Sequence, residues 1–156
     1  MKEKKIKILV NPEITKDQLW DFYVRNDICE VGFGKEMAVK SLFHSSLIIG
    51  AFNGEKLVGI ARALFDGLSG VIMEFCLELE LQGDNLKYNN SSLIEKDTVR
   101  IGKRMGDILV NELRKMGATF ISLYIVQDCE EDLYHSLGFF ENTGHLVFYI
   151  DERPYV

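Results

Sequence analysis

Residues Thr98 to Leu109 read TVRIGKRMGDIL. Two glycines four residues apart and three basic residues lead into a segment with helical spacing of its apolar residues. Glycine lets a backbone run close to a ligand, and the first turn of a helix presents N–H groups with partial positive charge. Basic side chains beside a helix start suit a phosphate. The stretch predicts an anion-binding helix start; the alternative is a loop and first turn with a solvated basic face.

Length and composition predict one globular domain spanning 1–156. The 156 residues are 47% hydrophobic and 27% charged, and no repeat or linker divides them. The formal net charge of −6 argues against nucleic-acid binding through a broad basic face. Between Thr98 and Gly106 the local charge is instead +3, from three basic residues and no acidic one. Such contrast steers an anionic ligand to one place.

Neither a membrane span nor a metal site is predicted. The longest apolar runs are too short to cross a bilayer, and the charged start of the chain is not followed by an apolar signal region. Cys29, Cys76 and Cys129 are odd in number, far apart and not in metal-ligand spacing. They indicate reduced thiols, so we expect a cytoplasmic protein.

The predicted element order is β-α-α-β-β-β-α-β-α-β-β, an α+β (mixed α/β) arrangement. Thr15 caps the first helix, and Asn53-Gly54 predicts a hairpin between two strands. Gly117 ends the helix that the opening stretch begins. The predicted strands are 5–10, 46–52, 56–65, 71–81, 120–126, 139–140 and 146–150. Four helices are predicted: one that begins after Thr15, one over 36–43, one that ends at Met116 and a short one that ends at Leu137.

The strand over 71–81 has the clearest alternation in the chain. Its odd-numbered residues are all apolar, and its even-numbered residues become acidic toward the end. This pattern places Glu74, Cys76, Glu78 and Glu80 on one face. For Glu78 and Glu80 the favoured interpretation is a solvated face.

Two motifs, together with the element order, resemble the GNAT superfamily of N-acetyltransferases. The family's pyrophosphate loop, Gln/Arg-x-x-Gly-x-Gly/Ala, is matched by the hexad from Ile101 to Gly106, with Ile at the first position and Arg104 at the fourth. The family's Leu-Tyr-x-x-x-Gly-Phe motif is matched in full from Leu133 to Phe139. Seven residues before the motif tyrosine, where the family often has Asn, this chain has Gln127.

The resemblance implies a central mixed, mostly antiparallel twisted sheet flanked by helices. It also implies transfer of an acetyl group from acetyl-CoA, as co-substrate, directly to a primary amine of a small molecule or of a peptide or protein. The amides from Lys103 to Asp107 would hold the pyrophosphate, with basic side chains adding contacts. The cofactor-binding candidates are Cys76, Leu77, Arg100, Ile101, Gly102, Lys103, Arg104, Met105, Gly106, Asp107 and Gln127.

Two residues are the catalytic candidates that the resemblance implies. Tyr134 would act as general acid, because a phenol is neutral at pH 7 and can protonate the departing thiolate; its alternative role is packing. Glu74 would act as the base, directly or through water. The backbone at Cys76 and Leu77 would pair with the pantetheine arm like an added strand.

The acceptor and the oligomeric state stay open, with a homodimer possible. Aromatic and acidic residues of the first two helices would suit a cationic amine, although half of the aromatics belong to the core. The alternative to an enzyme is a non-catalytic GNAT-shaped domain that binds CoA or regulates, because Ile101 and Arg104 depart from the loop pattern. An unrelated nucleotide-binding protein is disfavoured because the chain lacks the corresponding glycine-rich fingerprints.

Overall fold

A five-stranded sheet in the order β1-β2-β3-β4-β5 forms the middle layer of the molecule. It is seen in a computed structural model that describes residues 5–28, 34–83, 97, 99–125 and 130–152. Neighbouring strands are antiparallel except β4 and β5, which are parallel. The strands are β1 (Lys7–Val10), β2 (Leu47–Asn53), β3 (Lys56–Phe65), β4 (Ser69–Leu77) and β5 (Phe120–Ser122). The helices are α1 (Lys16–Arg25), α2 (Lys35–Ala38), α3 (Lys40–His44), α4 (Leu79–Gln82), α5 (Ile101–Met116) and α6 (Glu131–Ser136).

Helices cover both faces of the sheet, and each face has its own hydrophobic core. On one face α5 buries Met105, Leu109 and Leu113 against inward residues of β2, β3 and β4. On the other face α1 buries Leu19 and Phe22, joined by residues of α2 and of the α2–α3 junction. The result is a mixed α/β sheet flanked by helices, which confirms the predicted fold class.

Local signals fixed several element ends as predicted. Thr15 caps α1 in a full capping box, in which its hydroxyl accepts from the Gln18 amide and the Gln18 side chain accepts from the Thr15 amide. Gly117 ends α5 in the left-handed conformation with φ 111°. None of the helices in the described ranges is both long and apolar enough to cross a membrane.

A β-bulge changes which β4 residues face α5. Arg62 pairs with Glu74 and Ala63 with Ile72, so Met73 is an extra residue on β4. Ile72 and Phe75, three residues apart, therefore both enter the α5-side core, whereas Met73 is exposed. The predicted unbroken alternation from Val71 to Leu81 was wrong at this point, because a period of two does not reveal a bulge.

The same strand also ends four residues earlier than predicted, at Leu77. The chain leaves the sheet because the end of α1 holds the next residues. Arg25 donates to both carboxylate oxygens of Glu78 at 2.8 Å, and the Asn26 side chain accepts from the Leu79 amide at 3.0 Å. Glu78 is buried, which corrects the prediction that it solvates an exposed face, while Glu80 on α4 is exposed.

The two strands predicted at 139–140 and 146–150 are a further correction. Among the described residues, no strand follows β5, and all residues from 141 to 150 are exposed. Alternating or apolar residues favour an extended backbone, but a strand forms only where an adjacent strand pairs with its backbone N–H and C=O groups. The observed order is therefore β-α-α-α-β-β-β-α-α-β-α over the part of the chain that the structure describes.

Candidate active site

The backbone amides at the start of α5 bind the carboxylate of Asp97, a residue of the same chain. The Gly102 amide donates to one carboxylate oxygen of Asp97 at 2.8 Å, and the Lys103 amide donates to the other at 2.7 Å. A Cβ at position 102 would approach this carboxylate to 3.2 Å. Glycine thus allows an anion to lie close to the backbone here, and the first turn of α5 is an anion cradle.

The structure locates the cradle donors at Gly102 and Lys103. The Arg104 amide already donates to the Arg100 carbonyl within α5 at 3.2 Å, and Met105 to Asp107 follow it in the helix. Arg104 lies within α5, and Arg100, the residue before the helix, has a left-handed backbone with φ 60°. Left-handed backbone is uncommon for a residue with a Cβ.

Three basic residues lie at or next to the first turn of α5: Arg100, Lys103 and Arg104. Lys103 is engaged by Asp107 one turn along α5, at 2.6 Å. Arg100 and Arg104 are exposed, and neither forms an ion pair with another described residue. The two arginines are therefore available to an anionic ligand at the helix start.

Other residues of the predicted loop have packing roles. The side chains of Ile101 and Met105 are buried in the α5-side core. A Cβ at Gly106 would lie 2.5 Å from a methyl group of Leu137, so glycine permits the close approach of α5 and the end of α6. This contact places the Leu133–Phe139 motif against the helix that begins at the cradle.

Tyr134 lies on α6, buried against the α5-side core. Its ring meets Phe75 of β4 edge-on at a centroid distance of 6.2 Å and Phe139 at 5.9 Å. Burial, followed by the neighbouring charge of Glu130, raises the pKa of Tyr134 well above its ordinary value. The phenol is neutral at physiological pH and can act only as a proton donor or a neutral acceptor.

Glu130, one turn before Tyr134, is a buried carboxyl that shares a hydrogen bond with the Tyr134 hydroxyl. Its Oε1 atom has no hydrogen-bond partner among the described residues. Burial raises the pKa of Glu130 to about 7, which the hydrogen bond with Tyr134 opposes. Glu130 and Tyr134 thus form a pair in which one group titrates near neutrality.

Glu74 lies on the opposite face of β4, against α1. The Tyr23 hydroxyl of α1 lies 2.8 and 2.7 Å from the two Glu74 carboxylate oxygens, and Arg62 Nε lies 3.3 Å from Oε1. Burial, with the adjacent Glu74 charge, raises the pKa of Tyr23, so this phenol is a neutral donor. Arg62 also donates to the Ser45 hydroxyl at 3.2 Å. Glu74 is therefore a carboxylate held in a fixed orientation by a tyrosine and an arginine.

The two predicted catalytic side chains lie on opposite faces of β4: Glu74 belongs to the strand and faces α1, whereas Tyr134 packs against the face that α5 covers. Consecutive strand residues face opposite ways, so Glu74 meets Tyr23 while Phe75 meets Tyr134. Cys76 and Leu77 follow directly and are buried. The described β4–β5 ladder covers only Ser69 to Val71, so β5 does not accompany β4 to this region.

The predicted cofactor-binding residue Gln127 falls outside the described residues, as do Cys29 and Cys129. His135 is exposed on α6 and contacts Glu141 at 2.8 Å. Within the described ranges, no cluster of three or more His, Cys, Asp or Glu side chains is arranged to hold a metal ion.

Sequence reasoning missed Asp97, Glu130 and Arg62, and it considered Tyr23 among the aromatics of a possible acceptor pocket rather than beside Glu74. Arg62 faces Glu74 across the β3–β4 pair, and its position follows from the register rather than from any motif. Glu130 precedes Tyr134 by four residues, and that one-turn spacing was a usable signal. Asp97 matches no capping motif although it lies only five residues before Gly102, whereas the contact of Tyr23 with Glu74 joins elements that are far apart in the chain.

Comparison with known proteins finds similarity in structure. No protein-family model and no curated protein sequence matches the chain. A probable acetyltransferase from Staphylococcus aureus is similar with a TM-score of 0.71 at 15% identity, covering 94% of this chain and 99% of that one. A GNAT-family acetyltransferase from Streptococcus pneumoniae gives 0.67 at 19%, covering 95% and 99%. An aminoglycoside N-acetyltransferase solved with CoA gives 0.62 at 11%, covering 95% of each chain.

The overall fold is therefore the one shared by these acetyltransferases. The chain has the GNAT fold, and the resemblance inferred from its two motifs is confirmed at this level.

Proposed function

We propose that the protein is an acetyl-CoA-dependent N-acetyltransferase of the GNAT superfamily that acetylates a primary amine. The observation that carries the proposal is the α5 cradle, where two backbone amides already hold a carboxylate with both oxygens engaged. The same helix packs through Gly106 against the element that carries Tyr134. One helix thus connects a site for an anionic group with a candidate proton donor.

The described residues fit the pyrophosphate of CoA. Gly102 and Lys103 would supply amide hydrogen bonds, and the exposed Arg100 and Arg104 would supply charge. Asp97 would have to leave the cradle first, because its carboxylate occupies the two donors and repels a phosphate. A structural neighbour was solved in complex with CoA, which supports CoA as the ligand.

When bound, acetyl-CoA would supply the activated acetyl group, and the chain would supply proton transfers on either side of β4. Tyr134 holds a phenolic proton for the departing thiolate, since its raised pKa keeps it protonated. The protonation state of Glu130 decides the direction of the hydrogen bond that the two residues share. A protonated Glu130 donates to the phenol oxygen, which leaves the phenol proton directed to another acceptor.

Glu74 would take the proton that the amine loses when its nitrogen attacks the acetyl carbonyl. The Tyr23 hydroxyl and Arg62 fix the carboxylate beside β4, on the face that α1 covers. The structural neighbours include N-acetyltransferases whose names give glucosamine 6-phosphate and aminoglycosides, which are small amines. We accordingly propose a primary amine of a small molecule, or of a peptide or protein, as the acceptor.

A non-catalytic domain that binds CoA or regulates is the second candidate, and the contacts of Glu74 favour it. Both carboxylate oxygens of Glu74 are engaged by the Tyr23 hydroxyl. A domain that does not turn over acetyl-CoA has no need of a free base, so it could keep Glu74 in this contact.

The experiment that tests the proposed function measures binding and turnover separately. Calorimetric titration with CoA should give saturable binding, and release of the CoA thiol from acetyl-CoA should depend on a panel of primary amines. Binding without thiol release on any amine would support the second candidate. Absence of CoA binding would contradict both.

Replacing Tyr134 by Phe tests its role as the proton donor. We expect Tyr134→Phe to lower kcat by about 10²- to 10⁴-fold, because general acid catalysis contributes that much. The CoA dissociation constant should stay within about twofold. The matched control is Tyr124→Phe, which removes the hydroxyl of an exposed tyrosine. An unchanged kcat in Tyr134→Phe would assign Tyr134 to packing.

A further inference from the structure

Tyr134 is firmly positioned, but its phenol is a weak acid. Edge-on contacts with Phe75 and Phe139 hold its ring, and the residue is 4% exposed. Burial raises the pKa of the phenol well above its ordinary value, whereas a thiol has a pKa of about 8.5. Transfer of the phenolic proton alone to a thiolate is therefore unfavourable, because it would leave a phenolate buried in the core.

Glu130 is a second buried acid beside this phenol. It is 1% exposed, lies one turn before Tyr134 and shares a hydrogen bond with the Tyr134 hydroxyl. The Tyr134 amide also donates to the Glu130 carbonyl at 3.3 Å. Backbone and side-chain contacts within one helical turn thus keep the two groups together.

The surroundings of the Glu130 carboxyl favour its neutral form. Its Oε1 atom is buried and has no hydrogen-bond partner among the described residues, and none of the ion pairs between them includes Glu130. A buried oxygen without a donor is far more costly on a carboxylate than on a protonated carboxyl. The raised pKa of Glu130, about 7, agrees with this geometry. Below that pH the carboxyl holds a proton that it can donate to the phenol oxygen.

The elements packed around the pair add one further titratable group. From β4 the buried Cys76 thiol acts on Tyr134, where it adds to the effects of burial and Glu130 on the phenol pKa. α5 meets α6 at Gly106, which carries no charge. Burial and the Tyr134 hydrogen bond account for the pKa of Glu130. The other ionisable side chains of α6 are at least partly exposed: Glu131, Asp132 and His135.

We propose that Glu130 is the source of the proton that the departing CoA thiolate receives, and that Tyr134 passes this proton on. The proposal rests on the proposed acetyltransferase function. As the C–S bond breaks, its electron pair stays on the sulfur, which takes the phenolic proton while the Glu130 carboxyl proton moves to the phenol oxygen. Glu130 becomes a carboxylate and regains a proton from water, and the amine proton that Glu74 accepts returns to water. Glu130 acts through Tyr134, so it is a positioning residue.

This relay removes the mismatch in acidity. The group that ends deprotonated is Glu130, with a pKa of about 7, and the group that gains the proton is a thiol with a pKa of about 8.5. The net transfer is therefore favourable, and Tyr134 is neutral before and after it. The active form contains protonated Glu130, so the rate of acetyl transfer should fall as pH rises through about 7.

The test compares kcat of the wild type and Glu130→Gln as a function of pH. The glutamine amide can still donate to the phenol oxygen, but it does not release a proton. At pH 6 we expect kcat of the variant to be lower by about 10²-fold or more, with the CoA dissociation constant within about twofold. The ratio of wild-type to variant kcat should be constant below about pH 7 and fall by about tenfold per pH unit above it.

Two controls and one spectroscopic measurement accompany the kinetics. Asp132→Asn, which alters an exposed carboxyl of the same helical turn, should match the wild type at every pH. Adding Glu130→Gln to Tyr134→Phe should cost no further activity, because the relay is already broken. Carboxyl-carbon NMR of the wild type should show one glutamate that titrates near pH 7, and Glu130→Gln should lack it.

Each other outcome overturns the proposal. A kcat ratio that does not change with pH, or a loss in Glu130→Gln that adds fully to that of Tyr134→Phe, assigns Glu130 a structural role. A wild type without a glutamate that titrates near pH 7 has no such proton source, whether or not the variant folds. These results leave acetyl transfer intact, whereas a wild type that releases no CoA thiol with any amine overturns the proposed function and the relay together.

Discussion

At the scale of single residues, Asp97 links the stability of α5 to the proposed binding of CoA. Its carboxylate satisfies two of the N–H groups that a helix leaves without partners at its start. The same two groups are the donors that we propose for a phosphate. The Asp97 carboxylate would therefore compete with the CoA pyrophosphate for the same two amides.

This competition makes a prediction for Asp97→Ala. The variant should lose about 1 kcal/mol in free energy of unfolding, because two N–H groups at the start of α5 lose their acceptor. Its affinity for CoA should rise by about tenfold, since a like charge about 4 Å away costs on the order of 1–4 kcal/mol. Urea unfolding and calorimetric titration measure the two effects.

The matched control for Asp97 is Asp66, whose carboxylate accepts the Leu68 and Ser69 amides at 2.9 and 2.7 Å in the β3–β4 turn. Asp66→Ala should destabilise the fold similarly and leave the affinity for CoA unchanged. A fall in affinity in Asp97→Ala would show that Asp97 supports the cradle rather than competing for it.

Glu130 predicts a pH dependence of stability. Burial raises its pKa from 4.5 to about 7, so between these values the folded state keeps a proton that the unfolded state has released. The contribution of Glu130 to the free energy of unfolding therefore falls as pH rises from about 4.5 to about 7. Glu130→Gln removes this titration.

Denaturant unfolding at pH 5 and pH 8 measures the Glu130 contribution. The loss of stability between the two pH values should be smaller in Glu130→Gln than in the wild type. Asp132→Asn, which alters an exposed carboxyl in the same turn of α6, should keep the wild-type difference. Equal pH dependence in the wild type and Glu130→Gln would mean that the Glu130 carboxyl is ionised throughout.

At the scale of elements, the end of α1 decides where β4 stops. Arg25 and Asn26 hold Glu78, and the Glu78 hydrogen bond raises the pKa of Arg25 against the opposing effect of burial. The Arg25 guanidinium also donates to the Leu57 carbonyl at 2.8 Å. These contacts fasten α1, β3 and the β4–α4 junction together, beside the stretch of β4 that carries Glu74.

We expect Glu78→Gln to destabilise the protein by about 1–2 kcal/mol, because the substitution weakens the charge-assisted hydrogen bonds from Arg25, whose guanidinium remains partly exposed to water. Urea unfolding monitored by circular dichroism measures this loss. Glu80→Gln on the exposed side of α4 should change stability by less than about 0.5 kcal/mol. Equal effects of the two substitutions would show that the Arg25–Glu78 pair contributes nothing.

The elements that could be predicted from the sequence are those with local causes. The capping box at Thr15, the hairpin after Asn53 and the left-handed end of α5 at Gly117 are each encoded within a few residues. The bulge at Met73 and the end of β4 depend on β3 and α1, which lie far away in the chain. Periodicity along one strand contains no information about such partners.

At the scale of the whole molecule, a two-sided sheet places the proposed chemistry on β4. The α5 side brings the cradle and Tyr134, and the α1 side brings Tyr23 to Glu74. The resemblance implied Tyr134 and Glu74 as candidates, but the side chains that contact them became visible only in the packed structure. The strands predicted at 139–140 and 146–150 do not form among the described residues, because a strand pattern alone does not specify a neighbouring strand.

A crystal structure of the protein with CoA would test the proposed roles of the α5 cradle and of Tyr134 together. We expect density for the pyrophosphate on the Gly102 and Lys103 amides, with Asp97 displaced from them. We also expect the CoA sulfur beside β4, within hydrogen-bond reach of the Tyr134 hydroxyl. CoA bound away from the start of α5, or a sulfur remote from Tyr134 while Asp97 keeps both amides, would refute the proposed site.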